Sequence, residues 1–216
     1  MSELACTPGQ TVGPFFRLGL PYPHGSELVC DAFPGAIRFH GTVYDGAGVG
    51  VSDALIELWQ PDNAGRIPRA TGSVRRDGWT FTGWGRAATD AEGHYGFTTV
   101  VPGSASRRKS ARGRAQEGDF ASARREAGGG LGRAPFFAVT IFARGLLHRL
   151  FTRAYLPDGD LDADPLLSTV DGQRRDTLVC RAESCSGRAG YRFDIHLQGP
   201  NETVFLSYFD LKKSAR

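Results

Sequence analysis

Tyr191 to Leu197, "YRFDIHL", alternates apolar and polar side chains without a slip. Only an extended strand puts every second side chain on the same face. The stretch is therefore a half-buried strand, with Tyr191, Phe193, Ile195 and Leu197 turned inward. "IRFHGTVYD" (37–45) alternates too, and "DALIELWQPD" (53–62) and "PFFAVTIFARG" (135–145) are further strand-like segments. So are "LLHRLFTRAYL" (146–156) and "DTLVCRAE" (176–183). Between 81 and 103 the order is strand, turn at Thr89 to Gly93, and strand ending at Pro102-Gly103. These segments are rich in Val, Ile, Thr, Phe and Tyr, and Gly, Pro and Asp separate them. Helical periodicity is scarce, and "DADPLLSTV" (162–170) supplies a turn or two. An all-β chain of 216 residues built as one β-sandwich is the economical reading. An apolar fraction of 40% is enough for a core, and no uninterrupted apolar run approaches the roughly 18 residues of a membrane span.

Two segments break the strand rhythm. Ser104 to Arg133 holds eight Lys or Arg against three Asp or Glu, a local charge of +5. The chain as a whole carries +3, so the remainder is slightly acidic. Apart from Phe120 and Leu131 the segment has almost nothing to bury, which favours a solvated loop. Clustered arginine also attracts phosphate or acidic partners. The segment lacks the aromatics that stack on bases, so no nucleic-acid partner is expected. The second exception is "CTPGQTVGPFF", Cys6 to Phe16. Termini are usually polar unless something ties them down, and this one is apolar and stiffened by proline. The opening residues lack the basic and apolar regions of a secretory leader, so the expected compartment is the cytoplasm.

Catalytic signatures are missing. The chain has no GxSxG, no P-loop and no GxGxxG opening a helix. Its histidines, His24, His40, His94, His148 and His196, stand singly, and each is read as a surface or half-buried structural residue. Cys6, Cys30, Cys180 and Cys185 fit neither a disulfide framework nor paired zinc knuckles, and are read as reduced thiols. Trp59, Trp79 and Trp84 are read as core or interface aromatics.

Taken in order, "TPGQTVGPFF", "GTVYDGAGVGVSDALIELWQPDNAGR", "GWGRAATDAEGHYGFTTVVPG", "VTIFARGLLHRLFTRAYLPD", "RRDTLV" and "YRFDIHLQGPNETVF" resemble the intradiol ring-cleaving dioxygenases. The resemblance spans nearly the whole chain except the basic segment and the last residues. "TVGPFF", "IFARGLL" and "LQGPNETVF" place it with the alpha chains of that family. The family implies a β-sandwich of the intradiol type, here with an extended N-terminal arm (1–36), a sandwich (37–211) and a basic insertion (104–133). It also implies a hetro-oligomer in which a beta subunit holds Fe(III) through two tyrosines and two histidines. The implied reaction is cleavage of 3,4-dihydroxybenzoate (protocatechuate) with O2 to 3-carboxy-cis,cis-muconate.

The ligand positions implied by that resemblance carry no donors in this chain. Ile67 stands in "GRIPRA" where the iron-binding chain has tyrosine, and Ala105 stands in "PGSAS" where the second tyrosine belongs. Phe136 and Ala138 in "APFFAV" replace the two histidines. Carbon side chains cannot ligate a metal. The resemblance therefore implies no iron on this chain and none of its own residues as catalytic.

The same resemblance gives the N-terminal segment a task. Thr11, Gly13, Pro14 and Phe15 are implied to wall the partner's substrate pocket, with Phe15 where alpha chains often carry tyrosine. The plainer reading is that Phe15 and Phe16 only anchor the arm to the interface. Arg144 in "IFARG" is implied to sit near the pocket mouth, either attracting the substrate carboxylate or holding an ion pair. Arg153, Arg174 and Arg175 are read as structural or subunit contacts. Phe136 and the basic insertion depart from the alpha pattern; the insertion is either a tolerated surface loop or a frame-shifted stretch. An iron-free scaffold homologue and a lone transthyretin-like carrier remain alternatives. The C-terminal "LQGPNETVF" argues against the carrier.

Overall fold

The alternation resolves into two stacked sheets. The structure, a computed structural model, describes residues 10–13, 15–68, 76–104, 133–185 and 187–207. One sheet has the order β4-β1-β8-β7, from β1 (Ala36–Tyr44), β4 (His94–Val100), β7 (Arg181–Cys185) and β8 (Arg188–Arg192). The short β9 (Ile195–His196) also pairs with β1. The other has the order β3-β2-β5-β6, from β2 (Leu55–Trp59), β3 (Trp84–Ala88), β5 (Phe136–Phe142) and β6 (Leu150–Tyr155). Pairing is antiparallel except where β1 meets β8 and β9, which run parallel to it. Parallel neighbours need a long crossover. Here the crossover contains the entire second sheet, and so it ties the two ends of the sandwich together.

The inward residues of the two sheets form one core. Phe39, Val43, Phe97, Phe193 and Ile195 face Ile56, Leu58, Phe137, Val139 and Ile141, all at most 2% exposed. The rings of Phe39 and Phe137 bridge the sheets, offset-stacked with centroids 4.3 Å apart. Each such burial stabilises by about 1.5–3 kcal/mol before entropy is charged against it. A smaller cluster around Tyr155, Leu167 and Leu178 lies under the 160–178 connection. That connection supplies two 3-10 turns, Leu167–Thr169 and Asp176–Leu178, and between them the short helix α2 (Gly172–Arg175). Asp171 caps α2 by accepting the N–H of Gln173 at 2.9 Å.

Three sequence expectations change. The stretch 190–199 is two strands, not one, because the chain steps aside at Phe193-Asp194. A Cβ on Gly41 would lie 1.9 Å from the Phe193 carbonyl oxygen, so only glycine permits this crossing. Phe193 N–H donates to the His40 carbonyl and the Thr42 N–H to Asp194 Oδ1, which pins the step. The face alternation survives, with Tyr191, Phe193 and Ile195 buried. Secondly, 176–178 is a 3-10 turn, and the strand starts only at Arg181. Thirdly, the reading of the tryptophans as core or interface aromatics narrows: Trp59 and Trp79, 53% and 60% exposed, lie outside the core. The turn between β3 and β4 forms as expected, and it carries the chain from one sheet to the other: Asp90 accepts the N–H groups of Glu92 and His94, and Gly93 takes φ +84°. Of the cysteines, Cys30 and Cys180 are free thiols. No helix of the described residues is long and apolar enough to cross a membrane.

Candidate functional site

The N-terminal arm lies along one edge of the sandwich, and polar contacts hold it there. Its single helical turn, α1 (Phe16–Gly19), buries no residue. Two hydrogen bonds tie the arm down instead, and an ion pair links the segments they reach. Thr11 Oγ1 accepts the N–H of Gly145, in the turn between β5 and β6, at 2.8 Å. Arg144, next to it, donates its Nε–H to the carboxylate of Asp53, just before β2. Arg17, one turn further along the arm, donates to the carbonyl of Ser52 at 2.7 Å. Arm, β5–β6 turn and 52–53 loop are thus joined in a closed ring of contacts, which we call the clasp. Further on, Arg86 holds the Leu20 carbonyl at 3.0 Å and pairs with Glu57. Tyr22 stacks on Trp84, and Arg76 lies over both rings. Leu28 then enters the core.

The candidate residues divide clearly. Thr11 and Arg144 are brought together although 133 residues separate them in sequence. Gly13 is exposed, and a Cβ there would meet nothing within 4 Å. Phe15 is 75% exposed, Leu18 in the same helical turn is 67% exposed, and Leu147 after the β5–β6 turn is 59% exposed. Pro14 lies outside the described residues. A groove of about 330 Å³ runs under the clasp, lined by Val12, Phe142, Leu146, Leu147 and Phe151 with Arg149 over the Phe151 ring. Arg144 keeps Nε on Asp53 but has no partner for its terminal nitrogens among the described residues. Asp53, Ser52, Arg17 and Gly145 had no signal in the sequence. A single Asp before a strand does not announce a partner 91 residues away.

The positions lacking metal donors are equally clear. Phe136 and Ala138 lie on the outer face of β5, alternating with buried Phe137 and Val139. Ala138 pairs in register with Arg153, whose guanidinium sits 4.3 Å above the Phe136 ring. Ile67 is 70% exposed, and Ala105 lies outside the described residues. A cation over an aromatic ring is the reverse of what a ferric ion needs. The neighbouring phenol, Tyr155, is buried, donates to Asp164 at 3.1 Å and has its pKa pushed up to about 12, chiefly by burial. It is a neutral donor, not a phenolate ligand. One group of potential ligands exists among the described residues: Asp90, Glu92 and His94, all exposed. Asp90 there is already engaged by backbone N–H groups, and the His94 N–H leads the contacts that hold its carboxyl below the ordinary 3.8. The residues at the family's metal position do not fit an iron ion.

Away from the clasp, further ion pairs lie at the surface. Arg174 and Arg175 pair with Glu202 and Asp162, and His40 pairs with Glu183 at 2.5 Å.

Comparison with known proteins now places the chain. Residues 22–199 match the family model described as "Dioxygenase". The protocatechuate 3,4-dioxygenase alpha chain of Burkholderia cepacia is 38% identical over 95% of this chain and 99% of its own length. The beta chain of the same organism's enzyme is 31% identical over 76% of this chain and 64% of its own length. Among solved structures, 3-chlorocatechol 1,2-dioxygenase of Rhodococcus opacus 1CP superposes with a TM-score of 0.56 at 21% identity, covering 88% of this chain and 72% of that one. The last comparison concerns the fold alone, and it is the two-sheet sandwich described above. The chain belongs to this dioxygenase family of intradiol ring-cleaving enzymes, on the branch of its protocatechuate 3,4-dioxygenase alpha chains.

Proposed function

We propose that this chain is the metal-free half of a cytoplasmic hetero-oligomer whose beta chain supplies the ferric ion. The complex opens 3,4-dihydroxybenzoate between its two hydroxyl-bearing carbons, placing both atoms of O2 in 3-carboxy-cis,cis-muconate. One observation carries the reading: the Thr11–Gly145 hydrogen bond brings Thr11, implied to wall the pocket, next to Arg144, implied to stand near its mouth. In this reading residues 1–36 form the partner-facing arm, 37–211 the sandwich and 104–133 a solvated insertion.

The redox chemistry belongs to the partner's metal, and this chain contributes shape and charge. Gly13 carries no side chain and lets the partner's backbone or the substrate approach closely. Phe15 offers a rigid apolar face that loses little rotamer entropy when covered. The terminal nitrogens of Arg144 present two donor edges suited to a carboxylate, which a planar guanidinium grips bidentately. The exposed apolar side chains Phe15, Leu18 and Leu147 exclude water from the pocket once a partner covers them.

Co-expression with a protocatechuate 3,4-dioxygenase beta chain tests the reading. A coloured complex that consumes 3,4-dihydroxybenzoate and oxygen in equal amounts supports it. A stable monomer that never pairs supports the iron-free scaffold instead.

A further inference from the structure

Asp53 is 9% exposed, stands immediately before β2, and among the described residues its carboxylate has one ionic partner, the Nε of Arg144. The Arg144 side chain is itself 58% exposed. Long exposed cations normally sample many rotamers, and a ligand must order them when it binds. Here a carboxylate rooted in the sandwich grips the inner edge of the guanidinium. The two terminal nitrogens have no partner among the described residues. The neighbouring residue of each partner is tied as well: Ser52 through its carbonyl to Arg17, and Gly145 through its N–H to Thr11. The backbone on both sides of the ion pair is thereby anchored to the arm.

From this geometry we infer that Asp53 is a positioning residue that pre-orients Arg144 for a carboxylate-bearing catechol. The inference rests on the function proposed above. It assigns the preference for a charged ring substituent to a pair within this chain, set before substrate arrives. Asp53 touches no substrate; it acts through Arg144.

The test uses the complex reconstituted with a beta chain and compares 3,4-dihydroxybenzoate with its uncharged analogue 3,4-dihydroxybenzamide. Asp53→Asn keeps the side-chain shape and removes the charge that holds Nε. The KM for the benzoate is expected to rise about 3- to 10-fold, the factor that fixing one rotamer-rich side chain ahead of binding is worth. The inhibition constant of the benzamide is expected to stay within twofold. In an Arg144→Gln background Asp53→Asn should add nothing further. Asp53→Glu keeps the charge but displaces it by one methylene, so it should assemble and lose a smaller part of the same ratio. Equal effects on both ligands, or a wild-type ratio in Asp53→Asn while Arg144→Gln loses it, overturn the assignment. If the wild-type complex itself neither pairs nor turns over the benzoate, the function proposed above falls and takes this inference with it.

Discussion

Replacing Phe15 by alanine separates the stability of the chain from the stability of its assembly. The side chain is 75% exposed, so the isolated chain has almost nothing to lose. A phenylalanine covers about 150–250 Å² when fully buried, so roughly 110–190 Å² of it remains for a partner to cover. At about 25 cal/mol per Å² that area is worth at most about 3–5 kcal/mol at an interface. Alanine keeps the Cβ, and the interface relaxes around the gap. A loss of about 2 kcal/mol, or some 30-fold in the dissociation constant, is therefore the working expectation. Sedimentation titration against a beta chain measures the constant, and thermal unfolding of the isolated chain provides the control. Phe15→Ala should weaken pairing by that factor and move the midpoint of the chain alone by less than about 2 °C. The reverse pattern, intact pairing with a midpoint lowered by several degrees, would mean that Phe15 packs internally and the arm is not an interface element.

Two further substitutions test the fold beneath the site. Gly41→Ala drives a methyl group against the Phe193 carbonyl and should cost about 3 kcal/mol, read from urea unfolding; an unchanged midpoint would contradict the crossing of β1 with the 193–194 step. Asp90→Asn tests the β3–β4 turn through pH. The carboxyl is held below 3.8, so its contribution is complete above that pH and disappears as pH falls through the folded-state value. The gap in thermal midpoint between wild type and Asp90→Asn should be open at about pH 6 and narrow as pH falls below 3.8; a gap that widens in acid would refute the turn.

Local pattern made much of this fold readable, and long-range contact hid the rest. The β3–β4 turn was legible because Asp90 and Gly93 are the residues it needs, and the flanking strands alternate. The parallel pairing of Phe39 with Tyr191 was not, since nothing local names a neighbour that far along the chain. The step at Phe193 was equally hidden, because Gly41 on another strand dictates it. Trp59 and Trp79 show the limit of residue type as a guide: their size suggests burial, yet both face outward. At the site, motif resemblance supplied Thr11 and Arg144 but not the clasp. Asp53, Ser52 and Arg17 take their roles from geometry that no spacing encodes. The replacement of metal donors was visible in the letters Ile67, Phe136 and Ala138. That Arg153 lies over the Phe136 ring was not.

Metal content decides the central claim. Iron should be measured, together with the visible spectrum, in the purified chain alone and in its complex with a beta chain. The expected result is a colourless chain without stoichiometric iron and a coloured complex with one iron per alpha–beta pair. Tightly held, stoichiometric iron in the chain alone would contradict the account.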